Sequence, residues 1–82
     1  MPITVDEAWI PGPDGHSHVR QVYRGGETIG RVHLWQEDEE GDLTREWFTA
    51  ERMKGALYEP IEGVHPTFDE ALDRIVLYSL AQ

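Results

Sequence analysis

Four histidines and sixteen carboxylates are the groups in this 82-residue chain whose types suit metal binding or proton transfer. Asp14, His16 and His18 lie close together, and two imidazoles two residues apart point the same way in extended chain. Such a pair can share a zinc or nickel ion, with Asp14, His33 or His65 completing the shell. The spacing converges only two ligands, so no metal is expected and His16 and His18 read as solvated residues of a polar loop. The acidic run Glu37, Asp38, Glu39, Glu40 and Asp42 offers the oxygens that calcium takes. An EF-hand loop needs Gly at its sixth place and a bidentate Glu at its twelfth. Counted from Asp38, Gly41 comes too early and Thr49 stands where that Glu should be.

Nucleophilic chemistry finds no set of residues. Cysteine is absent, Ser17 sits in a Pro/Gly-rich loop and Ser79 late in a helical pattern, neither of them a nucleophile elbow. The stretch Gly25 to Gly30 lacks the lysine of a phosphate-binding loop and opens a strand. No catalytic residue, no cofactor and no enzyme activity are expected.

Arginine interleaved with tryptophan is the more informative pattern. From Thr28 to Gln36 the chain alternates, placing Ile29, Arg31, His33 and Trp35 on one side and Gly30, Val32, Leu34 and Gln36 on the other. With Val32 and Leu34 facing a core, Arg31, His33 and Trp35 would line an open sheet face. Arg20 or Arg24 from the strand before, and Arg45 with Trp47 from the strand after, would join them. Arg and Trp together make binding hot spots, although such side chains also pair across strands with no ligand present. The candidate binding residues are therefore Arg24, Arg31, His33, Trp35 and Trp47. The carboxylates of Glu37, Asp38, Glu39, Glu40 and Asp42 form a second candidate surface.

The elements that would position these groups are readable in part. Residues 1–17 form an N-terminal segment and a turn-rich loop, Pro11 to Ser17. Two β-like runs around Gly25-Gly26 predict a hairpin, and Glu37 to Asp42 reads as a solvated turn. Trp47, Phe48 and Thr49 favour a third strand at 44–51 over a helical stripe through Leu43, Trp47, Ala50 and Leu57, with a short fourth strand near 56–61. Thr67 followed by Glu70 is a capping box that opens a helix over 67–80. The expected architecture is one α+β domain, a three- to four-stranded antiparallel sheet over 18–61 with a C-terminal helix on one face. Ile75, Val76, Leu77 and Tyr78 surround that helix with apolar groups. Either Trp9 and Ile10 fold back over it, or a second copy covers Val76, Leu77 and Tyr78 as a homodimer, or the patch stays exposed for a different partner.

Charge narrows the partners. The chain has seven bases and a net charge of −9. Residues 1–36 hold three bases and four acids, a balance of −1, and residues 37–82 hold four bases and twelve acids, a balance of −8. Phosphate binding needs local excess of Lys and Arg, so direct nucleic-acid binding is disfavoured. Three strands followed by Pro66-Thr67-Phe68-Asp69-Glu70-Ala71 resemble the three-strand-plus-helix domains that read DNA with Arg and Trp on the sheet. That resemblance covers about the last 60 residues, and the acidic charge departs from it. The first ten residues lack the basic and apolar runs of a signal peptide, and no apolar run approaches a membrane span, so a cytoplasmic location is expected. The expected function is a small acidic protein-interaction module, such as a regulator or an accessory protein of a mobile element. Alternatives are an acidic decoy for a nucleic-acid-binding protein and a nucleic-acid binder using the Arg/Trp face.

Overall fold

Three two-residue turns build the sheet. Gly25-Gly26 has φ of 55° and 84° and Glu40-Gly41 has φ of 54° and 87°, the positive pair of a type I′ hairpin. Gly55, at 65°, opens the turn Gly55-Ala56 as type II′ turns require. In the computed structural model, which describes residues 2–80, these turns join β3 (His18–Arg24), β4 (Glu27–Glu39), β5 (Asp42–Lys54) and β6 (Leu57–His65) into an antiparallel meander. Two short strands, β1 (Ile3–Val5) and β2 (Ile10–Pro11), both pair with the outer edge of β3. The helix α1 (Phe68–Leu80) crosses one face, chiefly over β4 and β5.

The α+β class, the antiparallel sheet and the C-terminal helix agree with the expectation. The strand count does not: the sheet has six strands, against an expected three to four. The two additional strands have three and two residues, too few for any alternation to show. The N-terminal segment is thus laid along β3, tied further by Arg20 Nε donating to the Asp6 carbonyl at 2.6 Å. Residues 44–51 are strand, as favoured over helix, within a longer β5. The expected turn at Glu37 to Asp42 is mostly ladder, and only Glu40 and Gly41 turn.

Burial follows the alternation. Val22, Val32, Leu34, Phe48, Ala50 and Ile61 from the sheet meet Ala71 and Ile75 of α1 in one core, with Trp9 and Phe68 against it. Trp9 packs edge-on against Phe68 with ring centroids 5.8 Å apart, and the Arg20 guanidinium lies 4.7 Å over the Phe68 ring. Thr67 Oγ accepts the Glu70 N–H at 3.2 Å, the Thr half of the capping box. The last turn of α1 has no basic residue of its own. Arg24 supplies the cation from β3, donating to the Ser79 carbonyl at 3.3 Å and to its hydroxyl.

Gly30 lets α1 approach the sheet. A Cβ there would stand 2.8 Å from Ile75 Cγ2 and would overlap the Glu51 carbonyl oxygen, a backbone atom with no room to give. Gly30→Ala is expected to destabilise by about 1–3 kcal/mol through overpacking. Ile75→Ala, which empties the fully buried centre of the core, is expected to cost about 2–5 kcal/mol. Urea unfolding of both variants checks these values.

Candidate interaction surface

On the face opposite α1 the polar groups of neighbouring strands bind one another. Glu51 stands in register with Arg31, accepts its Nε–H at 2.6 Å and meets His33 Nε2 with the same oxygen. The Arg31 guanidinium lies 3.8 Å over the Tyr58 ring, and the Tyr58 hydroxyl donates to Gln21 across the sheet. Arg31 is neutralised and covered, and His33 is 6% exposed. Two of the expected binding residues therefore knit the strands together.

Ser17 completes this network from the loop. Its Oγ is 3.0 Å from His33 Nδ1 and 3.0 and 3.1 Å from the two Asp14 oxygens. One hydroxyl proton cannot serve both neighbours. Given to Asp14, it requires His33 to carry its own Nδ1 proton; given to Nδ1, it leaves the other imidazole N–H for Glu51. Serine, histidine and a carboxylate in sequence resemble a nucleophilic triad. Ser17 is 2% exposed and its Oγ lies between Asp14 and His33, so the trio ties the loop to the sheet.

Both acids are strongly perturbed. Burial alone would raise Glu51, but hydrogen bonds from His33 and Arg31 outweigh it and hold the carboxyl at about 2. Backbone N–H groups of His16 and Ser17, each donating at 2.9 Å, hold Asp14 at about 2. Asp14 therefore organises its loop, with His16 and Ser17 as its donors. Among the described residues, no three His, Asp or Glu side chains are grouped to hold a metal ion.

Beyond this network the sheet narrows to a two-stranded arm. β3 ends at His18 opposite Leu34, and β6 ends at His65 opposite Phe48. Residues 35–39 and 42–47 then pair with each other alone among the described residues. Every residue from 36 to 46 is exposed. The arm rises by about 17 Å along β4, taking ~3.4 Å per residue, and the molecule measures 44 × 21 × 20 Å. Acidic residues are poor strand formers, so cross-strand pairs carry the ladder. Trp35 stacks on Trp47 with planes 9° apart, Arg45 lies 4.5 Å over Trp47, and Gln36 donates to Glu46 at 2.9 Å. Trp35 and Trp47 are thus brought together, and the five expected acidic residues lie just beyond them. Arg24 is not with them; it serves α1.

A hollow of about 290 Å³ lies at the arm's root, lined by His33, Trp35, Thr49, Ala50, Glu51, Pro60, Ile61 and Gly63. It exists because Phe48 pairs with His65 and Ala50 with Ile61, leaving residues 62–64 opposite Thr49 alone. The surplus bows β6 outward, with Gly63 at φ 123°. Sequence reasoning gave Ser17 and Thr49 no part in this surface and missed Glu51 and this hollow altogether. Extending the alternation of Trp47 by two and by four residues would have found Thr49 and Glu51; the bulge leaves no such mark.

The apolar end of α1 is also only partly covered. Trp9 packs at the helix's other end, on Phe68 and Phe48, while Ile10 is 48% exposed, so neither lies over residues 75–78. Ile75 is buried and Val76 half-buried, Tyr78 lies under Arg52, and Leu77 is 58% exposed. No described helix is long and apolar enough to cross a membrane.

The two depressed carboxyls give the fold an acid limit. Stability that is fully present above their ordinary values of 4.5 and 3.8 should be lost as pH falls towards about 2. Glu51→Gln should be less stable than the parent near neutral pH and should lose less on acidification. Urea midpoints at about pH 7 and about pH 3 measure both effects, and equal slopes would show that the Glu51 charge contributes nothing.

No protein-family model, no curated protein and no solved structure matches this chain, so its functional reading rests on the geometry of the arm and its root.

Proposed function

We propose that this protein is a non-catalytic protein-interaction module, a regulator or accessory factor that meets its partner through the β4–β5 arm. The observation that carries this is the arm's extension past β3 and β6, which leaves its outer edges without a partner among the described residues and a stacked Trp35–Trp47 pair at its base. Large planar side chains on a preformed ribbon lose little conformational freedom on binding, which suits them to anchor a partner. The neighbouring Arg31 and His33 are satisfied internally, which weakens the case for phosphate recognition by this face. A second reading, an acidic decoy for the basic groove of a nucleic-acid-binding protein, draws on the arm's exposed carboxylates. It differs in depending on Glu39 and Glu40 and not on the tryptophans.

A photo-crosslinking residue placed at Thr44 in living cells tests both readings. The interaction module predicts a discrete adduct that Trp35→Ala or Trp47→Ala weakens by roughly tenfold or more while the body stays folded. Adducts insensitive to both tryptophans and lost on charge reversal of Glu39 and Glu40 would favour the decoy. Absence of adducts from the arm would overturn both.

A further inference from the structure

We infer that the arm's partner presents an extended basic strand, which adds to the free edge of β5 between Asp42 and Trp47 and seats one apolar side chain in the hollow at the arm's root. This rests on the reading of the arm as the interaction element, and it names the chemistry of the partner.

Three observations converge on it. β6 accompanies β5 as far as His65 opposite Phe48, after which Pro66 leads the chain away to α1. From Trp47 outward the β5 edge has no neighbour among the described residues, so its backbone donors and acceptors are free to continue the ladder, regular from Trp47 to Arg45 and with Thr44 as the extra residue of a bulge before Leu43. The hollow lies where β6 bows away from Thr49, in line with that edge, and Trp35 and Pro60 give it apolar walls. A strand taking over from β6 would carry alternate side chains past it. The third observation is charge. Glu37, Asp38, Glu39, Glu40, Asp42 and Glu46 stand exposed around the edge, with Arg45 the one base among them. The edge and the hollow supply the place, and the carboxylates supply the selectivity. They attract Lys and Arg on an incoming strand and repel a second copy of this chain, whose own arm is equally acidic.

The test uses the full chain and three synthetic peptides of about ten residues. One alternates Lys with Val around a central Leu, one has Glu in place of Lys, and one is the Lys peptide with alternate backbone amides N-methylated. The Lys peptide should quench tryptophan emission and protect amides within residues 43–47 from hydrogen exchange. Its affinity should fall roughly tenfold or more between about 50 and about 500 mM salt, and by a similar factor with E39K/E40K. The Glu and N-methylated peptides should bind at least about tenfold more weakly. Equal binding of the N-methylated peptide, indifference to salt and charge reversal, protection confined to other strands, or dimerisation of the chain through the arm would each overturn the inference. If the peptides fail while crosslinks from Thr44 persist, the module reading stands and the basic strand is wrong. If the crosslinks are absent, the underlying reading falls.

Discussion

Val32 opposite Ala50, Arg31 opposite Glu51 and Trp35 opposite Trp47 are three consequences of one register, that of β4 against β5. The first pair lies under α1, the second ties the opposite face, and the third forms the base of the arm. Because side chains alternate along a strand, a slip of one residue would present Arg31 to the helix and Val32 to water. The carboxylate of Glu51 guards against that slip, since it meets Arg31 and His33 from the adjoining strand in a single arrangement. The Glu40-Gly41 turn, with both residues in the left-handed region, closes the far end, and a bulge at Thr44 shifts the pairing by one residue between the turn and the rest of the ladder.

The two faces of this register have opposite characters. Under α1, apolar groups close around Ile75, and Gly30 thins the sheet to admit it. On the other side no helix among the described residues covers the sheet, and the strands cover themselves. Tyr58 lies over Arg31, Gln21 takes the Tyr58 hydroxyl, and Ser17 bridges Asp14 to His33. Positive charge there is spent on internal partners, which is why a face rich in Arg and His by composition offers little cation to a ligand. The groups left free are those past the last flanking strand.

Which parts could be read from residue types follows from range. The hairpin at Gly25-Gly26 and the cap at Thr67 are local, and a few neighbouring residues determine each. The alternation of Thr28 to Gln36 assigned Val32 and Leu34 to the core correctly. It could not show that Arg31 would be neutralised, because Glu51 lies twenty residues on and becomes a neighbour through the register alone. β1 and β2 were illegible because they are held by the β3 edge and not by a pattern of their own. The acidic arm misled in the other direction: Glu and Asp argue for a turn, while the pairs Trp35–Trp47, Gln36–Glu46 and Glu37–Arg45 extend the ladder through them. The hollow depended on a bulge, a register irregularity visible only once β5 and β6 are paired.

Among the described residues the arm has no second layer packed on it, and that separates its stability from the body's. Parting α1 from the sheet exposes the whole apolar core, whereas fraying the ribbon beyond Leu34 and Phe48 exposes little besides two indoles that are already partly wet. Opening of the two regions therefore proceeds on different free-energy scales, with the ribbon opening at a small fraction of the global value. On this ground the body is expected to open as one cooperative unit, and the arm to be the lower-cost opening while its paired, stacked form remains the populated one. A chain of this size thus carries two mechanical regimes, a rigid base and a compliant tip, joined at the stacked indoles.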